Sequence, residues 1–403
     1  MSDDELARAL RETFASRVAV PRPLTVDPAG VALRRARRTG RRRALAGLAL
    51  AGIATVAVTT GMAQLGDRPG RQGVPTVVLG DPPERSASPR PTASPSGRPA
   101  SGPLRVEVDL IVDATLETTG GEQRPLPGVD PVDRALRISD HGGWLVTSAA
   151  TAAGRTLWWV PPGDGAPQVV LAAADAVALS PDGRQVAWRD GGEIATAGVI
   201  SGQLIALVRT PAAADAVPVG FAGDAVLVRR AGQAGYSVWR PSAGPLPTRA
   251  ERGVLSTYGT LPDGRVVGQV SAGTPRRPCV ALLDPTRQLA PVRTGCGPDL
   301  ATDGHGGVSA DGRWLLANGS GKQGALLVDL NQLGADTRAR AAGPAVTGAV
   351  TWTKGGAALY VDDKGGLVRV RVDQVVAGHP AIAAPLAGGT PGRRPVLVTD
   401  VTS

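Results

Sequence analysis

From residue 104 onward, short apolar runs alternate with turns built from Gly and Asp. One unit recurs six times: an apolar strand, a tight polar turn and a second apolar strand. The copies are RISDHGGWLV (137–146), ALSPDGRQVAW (178–188), VGFAGDAVLV (219–228), GTLPDGRVVGQV (259–270), GVSADGRWLLA (307–317) and TWTKGGAALYV (351–361). Aligned at Ser139, Ser180, Phe221, Leu261, Ser309 and Thr353, they are spaced by 41, 41, 40, 48 and 44 residues. The turn positions are Asp140 and Gly142, Asp182 and Gly183, Gly223 and Asp224, Asp263 and Gly264, Asp311 and Gly312, and Gly355 and Gly356. Such pairs suit a hairpin, because Gly reaches positive φ without a steric penalty and Asp bonds nearby backbone. Each copy is followed by a third apolar run, as in RTLWWV (155–160) or CVALLD (279–284), and a weaker fourth, as in QLIALV (203–208). Four strands in a period of about 40–50 residues is the spacing of propeller blades.

The expected fold is therefore all-β, a β-propeller over 104–403. It has six blades, or seven if strands from both ends build another. Leu104–Asp113 (LRVEVDLIVD) and Pro395–Val401 (PVLVTDV) have strand character and flank the repeats. Pairing them in one sheet would close the ring and remove its open edges. A β-sandwich is the competing architecture, but it does not require the period.

A different pattern precedes the repeats. Ala44–Leu65 (ALAGLALAGIATVAVTTGMAQL) is 22 residues without a charge, long enough to span a hydrocarbon core of about 30 Å. Arg34, Arg35, Arg37, Arg38, Arg41, Arg42 and Arg43 come just before it. The positive-inside rule then keeps residues 1–43 in the cytoplasm and places the repeats outside the plasma membrane. A cleaved signal peptide fits less well, because more than forty residues precede a stretch longer than the usual apolar region. Within residues 1–43, Ser2 and Glu5 form a helix-start pattern. Leu6, Leu10, Phe14 and Val18 then make one apolar stripe on a helix ending before Pro21. That stripe is a candidate face for a cytoplasmic partner. Residues 66–103 contain nine Pro amid Ser, Gly and Arg, a composition that buries no core and reads as a disordered linker or stalk.

Charge sharpens this division. The formal net charge is +9, but residues 1–43 carry 11 Arg against 5 acidic groups and residues 44–66 carry none. The remainder is nearly balanced, with 33 basic against 30 acidic groups. No broad phosphate-binding face is implied, and no nucleic-acid partner is expected.

Candidate chemistry is sparse. The two cysteines, Cys279 and Cys296, fall in the third and fourth runs of the fourth unit, and outside the cell a disulfide is expected. Two Cys with no nearby His do not complete a zinc shell, so neither a metal nor another cofactor is expected. His141 and His305 sit in Gly-rich turns and His379 precedes a Pro. No G-x-S-x-G elbow occurs. Gly319-Ser320-Gly321-Lys322 fails as a phosphate loop, since Leu316 stands at the first Gly position and Gln323 follows the Lys. The seven Trp all fall in the repeats, where they are expected to fill the spaces between blades with indole N–H groups bonded to carbonyls.

SPDGR at 180–184, with LPDGR and SADGR repeating it, resembles the blades of TolB-like and WD-repeat-like β-propellers. The resemblance covers about three hundred residues and implies the architecture without an activity. FAGD and TKGG depart from the turn in the third and sixth units. The leading functional expectation is a non-enzymatic binding or sensor module, engaging an extracytoplasmic protein or glycan and signalling to a cytoplasmic partner. The alternative is a cell-surface hydrolase or lyase. Resemblance to actinobacterial-type membrane regulators implies, as a further alternative, control of a σ factor through residues 1–43, although that segment lacks a His/Cys zinc cluster.

Overall fold

The computed structural model describes residues 107–400 except 130, 139–141, 231–234, 335 and 385–393. Residues 1–43, expected in the cytoplasm, with Leu6, Leu10, Phe14, Val18 and the arginines, the apolar stretch 44–65 and the expected linker 66–103 lie outside the described residues, as does Asp140. Among the described residues no helix is long and apolar enough to cross a membrane.

Three short strands open the domain: β1 (Leu110–Val112), β2 (Thr115–Glu117) and β3 (Gln123–Pro125). The first repeat sheet is β4 (Val132–Arg137), β5 (Trp144–Ser148), β6 (Arg155–Val160) and β7 (Gln168–Ala174). The second is β8 (Ala176–Leu179), β9 (Gln185–Asp190), β10 (Glu193–Ile200) and β11 (Gln203–Pro211). The third has three strands, β12 (Ala216–Ala222), β13 (Ala225–Arg230) and β14 (Gly235–Trp239), with a single bridge from Tyr236 to Glu251 in the fourth position. The fourth is β15 (Val254–Thr260), β16 (Val266–Ala272), β17 (Arg277–Asp284) and β18 (Ala290–Gly295). The fifth is β19 (Gly306–Val308), β20 (Trp314–Asn318), β21 (Ala325–Asp329) and β22 (Ala339–Gly343). The sixth is β23 (Thr351–Trp352), β24 (Ala357–Val361), β25 (Leu367–Arg371) and β26 (Ala383–Ala384), and β27 (Val396–Asp400) ends the described chain.

Each repeat sheet is an antiparallel meander in chain order. The flanking strands build one more. β27 pairs antiparallel with β1, giving the order β27-β1-β2-β3, and β27 also runs parallel to β4 of the first repeat sheet. Of the two counts the sequence allows, the one in which strands from both ends build a further blade is therefore realised, and the domain is a seven-bladed propeller. Its first strands touch one another from sheet to sheet, β8 against β12, β15 against β19 and β23 against β27. That places them innermost.

Hydrophobic burial follows from this arrangement. The middle strands read as nearly unbroken apolar runs because both of their faces are covered by neighbouring blades; every residue of β5, β14 and β24 is buried. The apolar clusters lie between consecutive sheets. Leu145, Trp159, Val186 and Trp188 fill the space between the first and second, and Ile111, Leu116, Val146 and Val398 that between the closing sheet and the first. Outer strands are largely exposed, β11 most of all.

The turn chemistry is as the motif requires. The Ser180 hydroxyl donates to Asp182 Oδ1 (2.5 Å) and accepts from the Gln185 amide (2.9 Å), while Asp182 Oδ1 also accepts from the Arg184 amide (3.1 Å). Gly183 turns the chain at φ +67. It has a second role, since a Cβ there would lie 2.9 Å from Ile138 Cγ1 in the preceding blade. Ser309, Asp311 and Gly312 repeat the same bonds and the same close approach, there to Leu261. The two departures still turn: Gly223 (φ +61) and Asp224 separate the paired Ala222 and Ala225, and Gly356 (φ +74) follows Gly355 in the sixth unit.

A candidate binding face on the crossover loops

Four antiparallel strands per blade divide the connections between two faces. One face carries the turns between first and second strands, including Gly142, Asp182–Gly183, Asp263–Gly264 and Asp311–Gly312. The other carries the hairpins between second and third strands together with the crossover from each blade to the next. β1 begins and β27 ends on the turn face, because β27 runs parallel to β4.

The crossover face is pinned by polar residues at the ends of the second strands. Arg189 donates to the carbonyls of Ala214 and Ala216 in the next crossover. Arg230 holds Asp215 at 3.1 Å and is itself buried. Gln269, only 1% exposed, donates from Nε2 to Leu300 O at 3.0 Å. Asn318 is tied most completely: its amide nitrogen donates to Asp303 Oδ2 (2.8 Å) and Val346 O (2.9 Å), and its oxygen accepts from the Val346 amide (2.8 Å). Asp362 accepts from the amides of Lys364 and Gly366, and its carbonyl receives the Thr347 hydroxyl. These bonds hold loops whose backbone would otherwise be buried without partners.

The sequence reading missed this belt, although a signal was present. A polar residue follows the turn by six or seven positions in five units: Asp182 to Arg189, Asp224 to Arg230, Asp263 to Gln269, Asp311 to Asn318 and Gly355 to Asp362. It breaks an otherwise apolar run, which is the mark of a buried polar group with a fixed partner.

Cys279 and Cys296 form a disulfide with a Cα–Cα distance of 4.3 Å. Cys279 is in β17, whereas Cys296 lies one residue beyond β18 at the start of a crossover. The bond thus ties the third strand of that blade to the loop carrying Asp299, Leu300 and Asp303. His305 sits on the same crossover, its ring Nδ1 3.2 Å from Val346 O and 4.0 Å from Asp303 Oδ2. Ser320 of the rejected phosphate-loop sequence donates its hydroxyl to Asp299. Asn318 itself is buried. Among the described residues no group of three His, Cys, Asp or Glu is placed to hold a metal ion.

The tryptophans follow the packing expectation but only partly the hydrogen-bonding one. Trp144, Trp159, Trp188, Trp239 and Trp352 are buried. Trp239 Nε1 donates to Gly244 O at 2.9 Å, but Trp144 Nε1 bonds the buried carboxylate of Asp109 at 2.8 Å, and the indole nitrogens of Trp158 and Trp352 have no partner. Trp314 instead stacks under Arg313, whose guanidinium carbon is 4.7 Å from the ring centroid.

Burial also sets the titration of the inner phenols. Tyr258 of β15, whose hydroxyl reaches Ala301 O at 3.2 Å, is pushed up to about 12 by desolvation. Tyr360 is likewise raised by burial, with the Asp362 charge adding to it. On the turn face, Asp263 is held below its ordinary value by the Arg265 side chain.

No protein-family model matches the chain, and no curated protein matches it. Among solved structures it is similar to a functionally unknown protein from Desulfotomaculum acetoxidans DSM 771, with 15% identity, a TM-score of 0.48 and coverage of 73% of this chain and 99% of that one. It is also similar to TolB from Acinetobacter baumannii (15% identity, TM-score 0.40, 66% of this chain and 61% of that one). A third is BamB from Moraxella catarrhalis (13% identity, TM-score 0.38, 62% and 78%). At such identities the likeness is one of fold.

Proposed function

We propose that the chain is a plasma-membrane protein whose propeller, outside the membrane, is a non-enzymatic binding or sensor module presenting the crossover face to a protein or glycan. The apolar stretch 44–65 is the anchor, and residues 1–43 face a cytoplasmic partner, such as a σ factor, through Leu6, Leu10, Phe14 and Val18. The observation that carries this reading is the Cys279–Cys296 disulfide. Such bonds persist in oxidising compartments and are rare in the cytosol, and this one lies on the side of the apolar stretch opposite the arginines. The polar belt supports a binding role, because it fixes a set of loops around one face, as a recognition surface requires.

Alkaline phosphatase, active only outside the cytoplasm, fused after Ser403 tests the topology. Activity in intact cells is the expected result, and activity only from a cytoplasmic reporter at the same position would refute the reading. Photo-crosslinkers placed on the crossover face and on the turn face of the full chain in membranes test the binding role. Adducts formed from the crossover face alone are expected; equal labelling from both faces would count against it.

A further inference from the structure

Of the eight large apolar side chains that stand exposed among the described residues, four lie on the single hairpin β10–β11: Ile200, Ile205, Leu207 and Val208, each between 38% and 50% exposed. The other four are divided among the first, fourth and sixth blades. Three of the hairpin's four share one face. Along β10, Ile194 packs into the apolar cluster shared with the third blade, whereas Ala195, Ala197 and Val199 pack towards the first. Alternation therefore puts Thr196, Gly198 and Ile200 on the third-blade side with Ile194. Ile205 pairs with Gly198 and Val208 with Thr196, so both join that side. Ile205 lies over the bare Gly198, where a Cβ would stand 2.9 Å from its Cγ1.

The third blade has no regular fourth strand to lie opposite this strip. The segment that replaces one meets β11 at Thr210, whose hydroxyl accepts from the Leu246 amide at 3.0 Å, and Leu246 packs into the cluster there. Val208, Ile205 and Ile200, successively further from that end, stay exposed. Ala206, at φ +51, bulges the strand and breaks its regular edge, so the strip offers a face to side chains rather than a template for a continued ladder. Three side chains fall far short of a stable interface between separate proteins, which buries about 1,200–2,000 Å². A segment already joined to the domain needs less, because tethering supplies an effective concentration on the order of millimolar. The sequence holds such a segment. All the large apolar side chains of residues 66–103, namely Val74, Val77, Val78 and Leu79, fall within one run, GVPTVVLG (73–80). That run departs from the Pro-, Ser- and Arg-rich remainder and is rich in residues that favour extended chain. The 27 residues between Leu79 and Glu107 span up to about 90 Å when extended, against a radius of gyration of about 19 Å for a domain of some three hundred residues. The tether is therefore long enough for the run to reach the rim.

We infer that the strip formed by Ile200, Ile205 and Val208 on the outer rim of the second blade is a docking site for the chain's own residues 74–79, with Val77 and Leu79 laid against it. The inference concerns the rim and stands apart from the ligand of the crossover face. Its test is crosslinking in the full chain in detergent. Val77→Cys is combined with Ile205→Cys and, as a matched control, with Val292→Cys, a comparably exposed site on the fourth blade. Val208→Cys takes the place of Ile205→Cys should that variant lower the thermal midpoint. Under mild oxidation the rim pair is expected to crosslink within one chain about tenfold faster than the control pair, because docking raises the local concentration above that of the free tether. Leu79→Asp should bring the rim pair down to the control rate. Equal rates for the two pairs overturn the inference, as does a rim rate that Leu79→Asp leaves unchanged. Crosslinks between differently tagged chains in a mixed sample also overturn it, and assign the strip to a second copy. None of these results alters adducts formed from the crossover face, so the binding-module reading stands or falls separately.

Discussion

The fifth repeat sheet and the closing sheet have the same strand order in space and opposite chain histories. β19 to β22 come from one continuous stretch, begin with a Ser-Ala-Asp-Gly turn and are sealed by Asn318. The closing sheet draws β27 from one end of the domain and β1–β3 from the other, so no hairpin joins its first two strands. Its registry comes from tertiary contacts instead. The buried carboxylate of Asp109 accepts from the Trp144 indole and from the Thr119 amide, with Arg137 3.6 Å away, and the Thr399 hydroxyl donates to Ala135 O. A repeat blade is thus specified locally, and the closing one by distant partners.

Removing β27 tests the comparison most severely. Leu397 and Val398 are both nearly fully buried, worth about 1.5–3 kcal/mol each by area alone, and their loss also opens two sheet edges. Ending the chain after Arg394 should give the largest fall in thermal midpoint of any change considered, read by circular dichroism, and an unchanged midpoint would break the closure account. Within a repeat blade, replacing Cys279 and Cys296 together by Ser should cost about 3 kcal/mol in denaturant unfolding, as for a closed loop of this size, and abolish the mobility shift on reduction. Asp109→Ala should cost about 1–3 kcal/mol by orphaning the Trp144 and Thr119 donors. A cost indistinguishable from that of an exposed carboxylate such as Asp224 would remove the latch from the closing sheet.

The smallest effect concerns pH. Tyr258 has its folded pKa raised from 10.0 to about 12, so its neutral form is favoured by folding. Its stabilisation is full below about pH 10 and is lost as pH rises towards about 12. Tyr258→Phe should flatten that part of the alkaline unfolding curve. An unaltered curve would show that the inner strand of the fourth blade is wetter than described.

What was legible in the sequence follows the same division. The hairpins at Ser180 and Ser309 were readable because Ser, Asp and Gly at fixed spacing encode their own bonds over five residues, and the others because Gly, with or without Asp, recurs at the same period. The closing sheet left the blade count open, since β1, β2 and β3 are three residues each and carry no turn motif of that kind. Within the expected strand 104–113 only Leu110–Val112 pairs among the described residues. The crossover face was less legible than the turns, because Gln269 and Asn318 find their partners 31 and 28 residues away.

Because β1 starts and β27 ends on the turn face, the polypeptide preceding residue 107 joins the disc on the side away from the crossover loops. Any pull along that polypeptide would be borne first by the Glu107–Arg369 ion pair and the bonds of Asp109, and then by the two pairs Leu110–Leu397 and Ile111–Val396. The seam such a pull loads is therefore the one that holds the ring shut, and it would open like a zip from its outer end before the locally wound blades bore any load.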